Sequence, residues 1–501
     1  MVDAWPATLP QYMLRDGYSE GIGDGRIRSQ TDAGPAKVRR RSSAMPRLVQ
    51  GRVIMSAAQL GIMQDFVEGT LMNGSLPFLF PDPVTRYPSL VRFAGGLPAW
   101  GSRGPDYYDV SLDLEVLYTM KPTVLVEDGV LKVGTNTRAS VGTYFDSSGT
   151  LREAAANVLR RDYDPSTLAL RGALIEGTAT NLLTNTYGMT LANAGLQSGD
   201  VADSSGDASF GYFSSGIRFA APTVTSYYYK QHTFAAPLSG VFSIYIVMDD
   251  LSEPMPGAVA SPAADFGLAV QGSIKTTGFT KEPLGGGRWR ISLDVNEAAY
   301  TNGLIGIQTR VGNSGKPFTV YGYQLETGTF STSYVKTTSA AATRAADVVS
   351  APTSAFQFNA AEGTVLVDYF TGRGRIGTNA WALTNGSSRR IAWFDDGSNS
   401  LTENSVMAQV ADVLPLQSLI LASDTARNSK HRGAMSWTTS RLAASLDGGA
   451  VLSGSLPTLP TVNLLNIGSH TSSSNFLGGC VSRLIYFPRA LSDAELQEMT
   501  A

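Results

Sequence analysis

Apolar and polar positions alternate along most of the chain in the manner of short β-strands. Glycine, proline, asparagine and aspartate separate one alternating run from the next. The stretch "YDVSLDLEVL" is a clear case, because alternation places Val110, Leu112, Leu114 and Val116 on one face. The pattern predicts a mainly β, multidomain protein.

Residues 1–117 contain the one helix pattern of the first part of the chain. Ser56 and Gln59 form a capping box, and Gly69 supplies a stop. Apolar residues follow the cap at helical spacing: Leu60, Met63, Phe66 and Val67. Strands are predicted around it at Lys37–Ser43, Leu48–Met55, Leu90–Phe93 and Tyr108–Leu117. We therefore expect a small α+β domain here.

Residues 118–185 are predicted to form a linking segment of β-hairpins. The first hairpin turns at residues 146–149 and returns through Leu151–Ala154. Further strands are expected at Val158–Tyr163 and Leu168–Glu176, with the turn dipeptide Asp164-Pro165 between them.

Residues 186–349 are predicted to form an antiparallel β-sandwich of the jelly-roll type, because short strands recur there with turn residues between them. The run of tyrosines 227–229 could be a stacking platform, but alternation favours Tyr228 in the core. Trp289 is likewise expected to face the core, with Arg288 and Arg290 outward. The strands are expected at Phe219–Pro222, Ser226–Phe234, Gly240–Met248, Asp265–Val270, Trp289–Val295, Gly303–Arg310 and Thr319–Glu326.

Residues 350–501 are predicted to form a second antiparallel sandwich that folds by itself. Its first strand places Val365, Val367 and Tyr369 on one face, and a final helix begins at Ser492 as N-cap. Trp437 is expected to be a packing residue.

Composition excludes several classes of function. The net charge of -3 gives no field that gathers nucleic acid, and the single cysteine, Cys480, excludes a disulfide framework or a cysteine-rich zinc site. Three histidines argue against a histidine-rich metal site. The chain has no secretory signal pattern and no run of 18 apolar residues, so we expect neither export by that route nor membrane insertion. No metal or cofactor is expected.

Catalytic motifs are absent or lie in the wrong context. The glycine pattern of residues 372–377 matches a dinucleotide fingerprint, but no helix pattern follows it. The acidic pairs Asp249-Asp250 and Asp395-Asp396 are sequence neighbours, which point apart on a strand. The sequence therefore predicts a protein that is not an enzyme.

Four stretches resemble segments of known families. "RASVGTYFDSSGT" through "LIEGTATNLLTN" resembles a segment of bacteriophage and prophage tail-tip, tail-fibre and head-spike proteins. "RSQTDAGPAKVRRR" with "GSLPFLFPDPVTR" resembles a short domain of phage tail modules. "YGYQLETGTFSTSYV" before "TRAADVVS" resembles the closing strand of carbohydrate-binding jelly rolls. "FLGGCVSRLIYFPRALSDAELQEM" resembles concanavalin A-like (laminin-G-like) lectin domains.

These resemblances imply a phage virion protein, made in the host cytoplasm, that mediates host adsorption by binding surface glycans. They imply four parts: a virion attachment domain (1–117), the hairpin link (118–185), a jelly-roll domain (186–349) and a lectin-like domain (350–501). Expected partners are other tail or virion proteins and bacterial surface polysaccharide, with the chain as a homo-oligomer in three- or sixfold copies. A glycan depolymerase tailspike and a purely structural tail-tip or head decoration are the alternatives.

The lectin resemblance also implies candidate glycan ligands in the last domain. These are aromatic and polar side chains on or beside its loops: Trp381, Asn385, Trp393, Asp395 and His470. The two tryptophans could equally be core residues. Asp395 and Asp396 could hold calcium, but two carboxylates supply fewer than the six oxygens the ion needs, which favours solvated loop acids.

The basic run at residues 37–41 suggests a docking surface. Alternation places Lys37, Arg39 and Arg41 on one strand face. The balanced charge around them favours an acidic neighbouring subunit over a nucleic-acid backbone as the partner.

Overall fold

The structure is a computed structural model that contains two compact units, Met1–Lys121 and Pro122–Ala501. Strands dominate both units, so the predicted mainly β, multidomain class is confirmed. The residues that the structure describes are 3–22, 26–29, 37–40, 46–83, 88–117, 122–206, 209–234, 237–259, 261–298, 300–371, 378–386, 389–395, 406–411, 417–422, 429–456 and 458–501.

The first unit is built on an antiparallel sheet with the order β1-β4-β8-β6-β5, in which β7 also pairs with β8. A separate two-stranded ribbon, β2–β3, accompanies it. The strands of the unit are β1 (Ser19–Ile22), β2 (Arg26–Ser29), β3 (Lys37–Arg40), β4 (Arg47–Ser56), β5 (Phe78–Pro81), β6 (Pro88–Phe93), β7 (Ala99–Ser102) and β8 (Tyr107–Val116).

The predicted helix is confirmed as α1 (Ala57–Asp65), and a single π-helical turn, Phe66–Thr70, continues it. Ser56 accepts from the Gln59 amide and Gln59 reaches back, which is the predicted capping box. The apolar residues of α1 and the π-helical turn are buried against the inward face of β8: Leu60, Met63, Phe66 and Val67. The four residues of β8 that alternation placed on one face are buried in the same core: Val110, Leu112, Leu114 and Val116.

The second unit contains a sandwich of two large sheets, here called the host sandwich. One sheet has the order β10-β9-β39-β30-β35-β36-β37, with β15 also on β39 and β14 on β15; the other has the order β11-β29-β38-β31-β32-β33-β34. Its strands before residue 177 are β9 (Thr123–Glu127), β10 (Val130–Leu131), β11 (Thr135–Thr137), β14 (Arg160–Tyr163) and β15 (Leu170–Ile175).

The remaining strands of the host sandwich come from the end of the chain. A closing helix, α2 (Asp493–Thr500), begins at the predicted N-cap Ser492. The strands are β29 (Val348–Pro352), β30 (Glu362–Phe370), β31 (Thr378–Thr384), β32 (Arg390–Asp395), β33 (Val406–Ala411), β34 (Gln417–Ala422), β35 (Lys430–Thr438), β36 (Arg441–Leu446), β37 (Leu452–Ser455), β38 (Leu464–Ile467) and β39 (Gly479–Phe487).

A second sandwich, here called the inserted sandwich, lies between these two groups of strands in the sequence. Its sheets have the orders β17-β20-β26-β22-β23 and β18-β19-β27-β21-β25-β24. The strands are β17 (Leu196–Ser198), β18 (Val201–Ser205), β19 (Ser215–Phe219), β20 (Ser226–Phe234), β21 (Leu238–Met248), β22 (Gly267–Val270), β23 (Ser273–Lys275), β24 (Phe279–Pro283), β25 (Arg288–Glu297), β26 (Tyr300–Thr309) and β27 (Phe318–Thr327).

The chain enters and leaves the inserted sandwich through two adjacent strands, β16 (Ala179–Asn181) and β28 (Ala342–Arg344), which pair with each other. The predicted hairpin is also present, as β12 (Gly142–Phe145) with β13 (Leu151–Ala154). Short 3₁₀ turns occur at Leu191–Asn193 and Thr353–Ala355.

The segment predicted as a link is therefore built into the host sandwich. β9 and β15 both pair with β39, and β11 pairs with β29. Leu125, Val126 and Ile175 are buried in the same core as the tryptophans of the last 150 residues. Sequence order hides this arrangement, because the strands of one sandwich are separated by the whole inserted sandwich.

Candidate functional site

The tryptophans predicted to bind glycan are core residues, which corrects that part of the hypothesis. Trp381 and Trp393 lie opposite each other on β31 and β32, and both are 0% exposed. The indole Nε1 of Trp393 donates to the Tyr369 hydroxyl at 3.2 Å. Gly433 leaves the space for this ring, since a Cβ there would lie 2.2 Å from it. A ring buried in this way cannot stack on a sugar.

The other predicted glycan ligands do not converge. Asn385 is exposed just beyond β31, where Thr384 lies opposite Leu464. His470 lies beyond the far end of β38, where the Gly468 amide donates to Ala380. Asn385 and His470 therefore lie at opposite ends of one strand pair.

His470 and Asp395 are close in register, but little else connects them. Burial lowers the pKa of the half-buried His470, and among the described residues its Nε2 has no partner. Asp395 ends β32 opposite Thr378, while its side chain and the whole of Asp396 lie outside the described residues. The expectation that Asp395 and Asp396 are solvated loop acids rather than calcium ligands stays a prediction.

Two of the three predicted docking residues are exposed. Lys37 and Arg39 lie on β3, with Arg39 opposite Ile27 of β2. Arg41 lies outside the described residues, so the predicted face is described only in part.

A cleft between the two sandwiches of the second unit has the features of a binding site. Its cavity volume is about 60 Å³, space for a few water molecules. The edge of a small polar molecule fits such a volume better than a whole sugar ring. Its lining combines aromatic and charged side chains: Tyr144, Phe145, Asp162, Arg171, Glu176, Tyr245, Glu282, Arg290, Tyr334, Phe370 and Cys480.

Aromatic packing fixes one wall of the cleft. The β12–β13 hairpin packs with Leu151 against Tyr245 and Tyr321, which point outward from the inserted sandwich. Phe213 lies edge-on to Tyr334 at 5.0 Å and stacks on Tyr321 at 5.7 Å. These rings hold the hairpin on the inserted sandwich, so the cleft has a rigid wall.

A buried ionic cluster, here called the joint, lies behind the cleft and consists of Arg138, Arg160, Glu176, Arg344 and Asp347. Asp347 accepts from Arg138 Nη1 at 2.8 Å and also from Arg160 Nη2. Arg160 Nη1 lies 2.8 Å from Glu176 Oε2. Every member is at most 4% exposed. The joint connects the hairpin segment with the strand that returns from the inserted sandwich.

Charge and burial together set the protonation of the ionisable groups around the joint. Burial alone would raise the pKa of Glu176, but the charges of Arg344 and Arg160 outweigh it and hold that pKa well below its usual range. Asp162 is the opposite case, since burial dominates there and raises its pKa to about 6. Burial also raises the pKa of the Cys480 thiol, which is therefore neutral.

The inserted sandwich supplies a second arginine to the cleft. Arg290 was expected to point outward. Its side chain lies on the other face of β25 from that of Trp289, as alternation requires, but the residue is 2% exposed. Its Nη1 donates to the Thr332 carbonyl at 2.6 Å and its Nη2 to Ser243 Oγ at 2.9 Å. Its guanidinium carbon is 5.3 Å from the centre of the Tyr245 ring. The arginine faces the segment around Thr332, between β27 and β28, which shields it from water.

Sequence reasoning missed the cleft because its residues belong to six separate stretches of the chain, from residue 144 to residue 480. One signal was present: Arg160 and Asp162 alternate on a four-residue strand, and two charges on one face of so short a strand call for partners. The acidic pair Asp249-Asp250 lies in the turn after β21 rather than on a strand, and the two acids have different partners, Arg218 for Asp249 and Lys316 for Asp250.

The described residues contain no group of three or more metal-ligating side chains suited to a metal ion. Within the same residues, no helix is long and apolar enough to cross a membrane. The lining of the cleft offers hydrogen-bonding groups and aromatic rings.

No protein-family model and no curated protein matches the chain. Solved structures similar to parts of it include the carbohydrate-binding module CBM40 of the Ruminococcus gnavus IT-sialidase, alone and bound to α2,3-sialyllactose, at 14% identity and a TM-score of 0.25 over 28% of this chain and 84% of that one. Domain 4 of AbnA, a GH43 extracellular arabinanase from Geobacillus stearothermophilus, in complex with arabinotriose, has 13% identity and a TM-score of 0.26 over 35% and 82%. Similarity of this size supports no inference about fold or ligand.

Proposed function

We propose that the protein binds glycans through the cleft between its sandwiches and serves as an adsorption protein of a phage virion. The observation that carries the proposal is the lining of the cleft, where half-buried rings stand beside buried planar polar groups. Sugars present apolar C–H faces and many hydroxyls, so they bind to rings and to carboxylate or guanidinium groups together.

Tyr144 and Phe370 are the rings best placed to contact a ligand. Both line the cleft and both are half-buried, whereas Tyr245 and Tyr334 are buried in the aromatic wall and the half-buried Phe145 packs against that wall. A half-buried ring keeps one surface for a ligand while its neighbours hold it in place. The sugar would lie against these rings and place its hydroxyl edge in the cleft.

The first unit is the proposed attachment module. It folds as its own compact unit, and its β2–β3 ribbon carries five basic residues and no acid among the eight residues of its two strands. The resemblance to tail modules supports an acidic virion protein as the partner of this ribbon. Several copies on one particle would convert weak sugar binding into strong adsorption by avidity.

Binding to surface polysaccharide from candidate bacterial hosts tests the proposal. Tyr144→Ala and Phe370→Ala should each weaken binding of the full chain on the order of tenfold, since a stacking ring contributes roughly 1–1.5 kcal/mol. Tyr107→Ala is the matched control, because Tyr107 is an exposed ring of the first unit. Binding that survives both cleft variants would remove the cleft from the proposal, and binding to no polysaccharide would favour a structural role.

One observation favours a second candidate, glycan cleavage. Asp162 is a buried carboxyl whose pKa is raised to about 6, as general acids often are. Glu176, however, is held in ion pairs with Arg160 and Arg344. We propose binding without cleavage, and incubation with a bound polysaccharide should release no new reducing ends. Shortened chains that disappear with Asp162→Asn would establish the enzyme instead.

A further inference from the structure

Asp162 and Arg171 face each other in the cleft without forming a close ion pair. Asp162 Oδ1 accepts from the Phe145 amide at 2.8 Å. Asp162 Oδ2 has only long contacts among the described residues, to Arg171 Nη1 at 3.9 Å and to Cys480 Sγ at 4.0 Å. The residue is 5% exposed, so this oxygen is a buried acceptor with unused capacity.

Arg171 has unused donors on the same side. Its Nη2 donates to Asp164 Oδ2 at 2.8 Å, which fixes the guanidinium. Its Nε has no hydrogen-bond partner among the described residues, and its Nη1 is too far from Asp162 for a hydrogen bond. The donor Arg171 Nη1 and the acceptor Asp162 Oδ2 are therefore held 3.9 Å apart, which leaves a gap too wide for a direct hydrogen bond.

A hydroxyl group fits this gap better than an ion does. It donates one hydrogen bond and accepts another, so it can bridge the carboxylate and the guanidinium at once. An anion would meet the carboxylates of Asp162 and Glu282, and a cation would meet Arg171 and Arg290, all of which line the cleft. Glu176 adds little, because Ser333 and Arg160 already occupy its oxygens.

We propose that Asp162 and Arg171 form a seat for one hydroxyl of a neutral sugar, at the inner end of the cleft. This inference rests on the proposed function, since it assigns the ligand class and the recognition residues of the same site. The sugar contributes the hydroxyl and an adjacent ring oxygen or hydroxyl. The half-buried Tyr144 and Phe370 support the ring.

The seat makes binding dependent on pH. Burial raises the pKa of Asp162 to about 6; the Phe145 amide and the charges of Arg171 and Arg160 act against this, and Glu176 adds to it. Glu282 and Arg290 complete the charged lining. An ionised carboxylate accepts a charge-assisted hydrogen bond that its protonated form cannot, so the affinity for a hydroxyl rises as pH increases through about 6.

The experiment measures binding of the full chain to immobilised neutral polymers (dextran, mannan and galactan) and to an acidic polymer, polygalacturonate. We expect a neutral polymer to bind at about pH 7.5, and to bind roughly tenfold more weakly at about pH 5. Asp162→Asn should weaken binding at the higher pH by about tenfold or more and abolish the pH dependence.

Arg171→Gln tests the donor half, and Arg171→Lys keeps the charge but loses the planar pair of donors. Both should weaken binding by about tenfold, and an unchanged melting temperature would separate this effect from misfolding. Asp249→Asn and Arg218→Gln are the matched controls, because they alter a carboxylate–guanidinium pair on the surface of the inserted sandwich.

The outcomes distinguish the seat from the wider function. If Asp162→Asn and both Arg171 variants bind a neutral polymer as strongly as the native chain does, the seat is overturned and glycan binding still holds. Binding to polygalacturonate alone also overturns the seat. Binding to none of the four polymers overturns the seat, while recognition of a bacterial surface polysaccharide in the earlier test would still support the proposed function.

Discussion

The core of the host sandwich and the joint behind the cleft are both fully buried, yet they are stabilised in different ways. The core is apolar and is filled by three tryptophans, Trp381, Trp393 and Trp437. The joint consists of charges, with Asp347 between Arg138 and Arg160. An apolar core tolerates small changes of shape, whereas a buried ion pair that loses one partner leaves a charge without compensation.

This difference shows how the two sandwiches of the second unit are connected. The alternation of apolar and polar residues explains how each sandwich buries its core. The joint links the segment before the inserted sandwich to the strand after it. Arg138 and Asp347 are 209 positions apart in sequence. The cleft depends on both, because the core supplies its stable walls and the joint fixes the distance between them.

Deleting the early strands of the host sandwich should have the largest effect. The sequence predicts that residues 350–501 fold alone, but β9, β11 and β15 belong to the same two sheets. We expect a fragment of residues 350–501 to lack a cooperative melting transition in circular dichroism, and a chain of residues 122–501 to keep one. A cooperative transition in the shorter fragment would show that the early strands are dispensable.

Breaking the joint should have the next largest effect. Asp347→Asn removes the negative charge between Arg138 and Arg160 and should lower the free energy of unfolding by about 3–5 kcal/mol. Urea denaturation of the full chain measures it. Asp249→Asn is the control, since its ion pair with Arg218 is solvated and should contribute at most about 1 kcal/mol. Equal losses in the two variants would mean that the buried ion pairs of Asp347 contribute no more to stability than the solvated pair of Asp249.

Much of the local structure could be predicted from sequence, because it depends on neighbouring residues. The strand Ser226–Phe234, the capping box at Ser56 and the N-cap at Ser492 are local patterns, and the structure contains all three. Burial of Tyr228 follows from the same alternation. Each of these features needs only the residues within one strand or one helical turn.

The insertion and the cleft could not be predicted, because they depend on pairing between distant strands. Nothing near Asp347 indicates that it will meet Arg138, and nothing near Asp162 indicates Cys480. Trp381 was assigned to a ligand site for the same reason. Its burial follows from the pairing of β31 with β32 and β38, which sequence spacing does not reveal.

Replacing Asp162 should change the free energy of unfolding less than replacing Asp347, because Asp162 lies at the edge of the joint. Its pKa is raised to about 6 by burial, so it contributes stability that is present below its unfolded value and lost as pH rises through about 6. Asp162→Asn mimics the protonated form. Without ligand, the variant should gain about 1–3 kcal/mol relative to the native chain between about pH 4 and pH 7.5. A difference that stays constant over this range would show that Asp162 titrates normally.

The smallest expected effect concerns two tryptophans of the same core. Trp393 Nε1 donates to Tyr369, whereas Trp381 Nε1 has no hydrogen-bond partner among the described residues. Replacing either ring by phenylalanine removes similar apolar area, so packing losses largely cancel when the two variants are compared. Trp393→Phe also removes the hydrogen bond from the indole Nε1 to the Tyr369 hydroxyl, and it should destabilise the chain by about 1 kcal/mol more than Trp381→Phe. Urea denaturation of both variants measures the difference. A larger loss for Trp381→Phe would mean that ring shape, rather than the hydrogen bond, distinguishes the two positions.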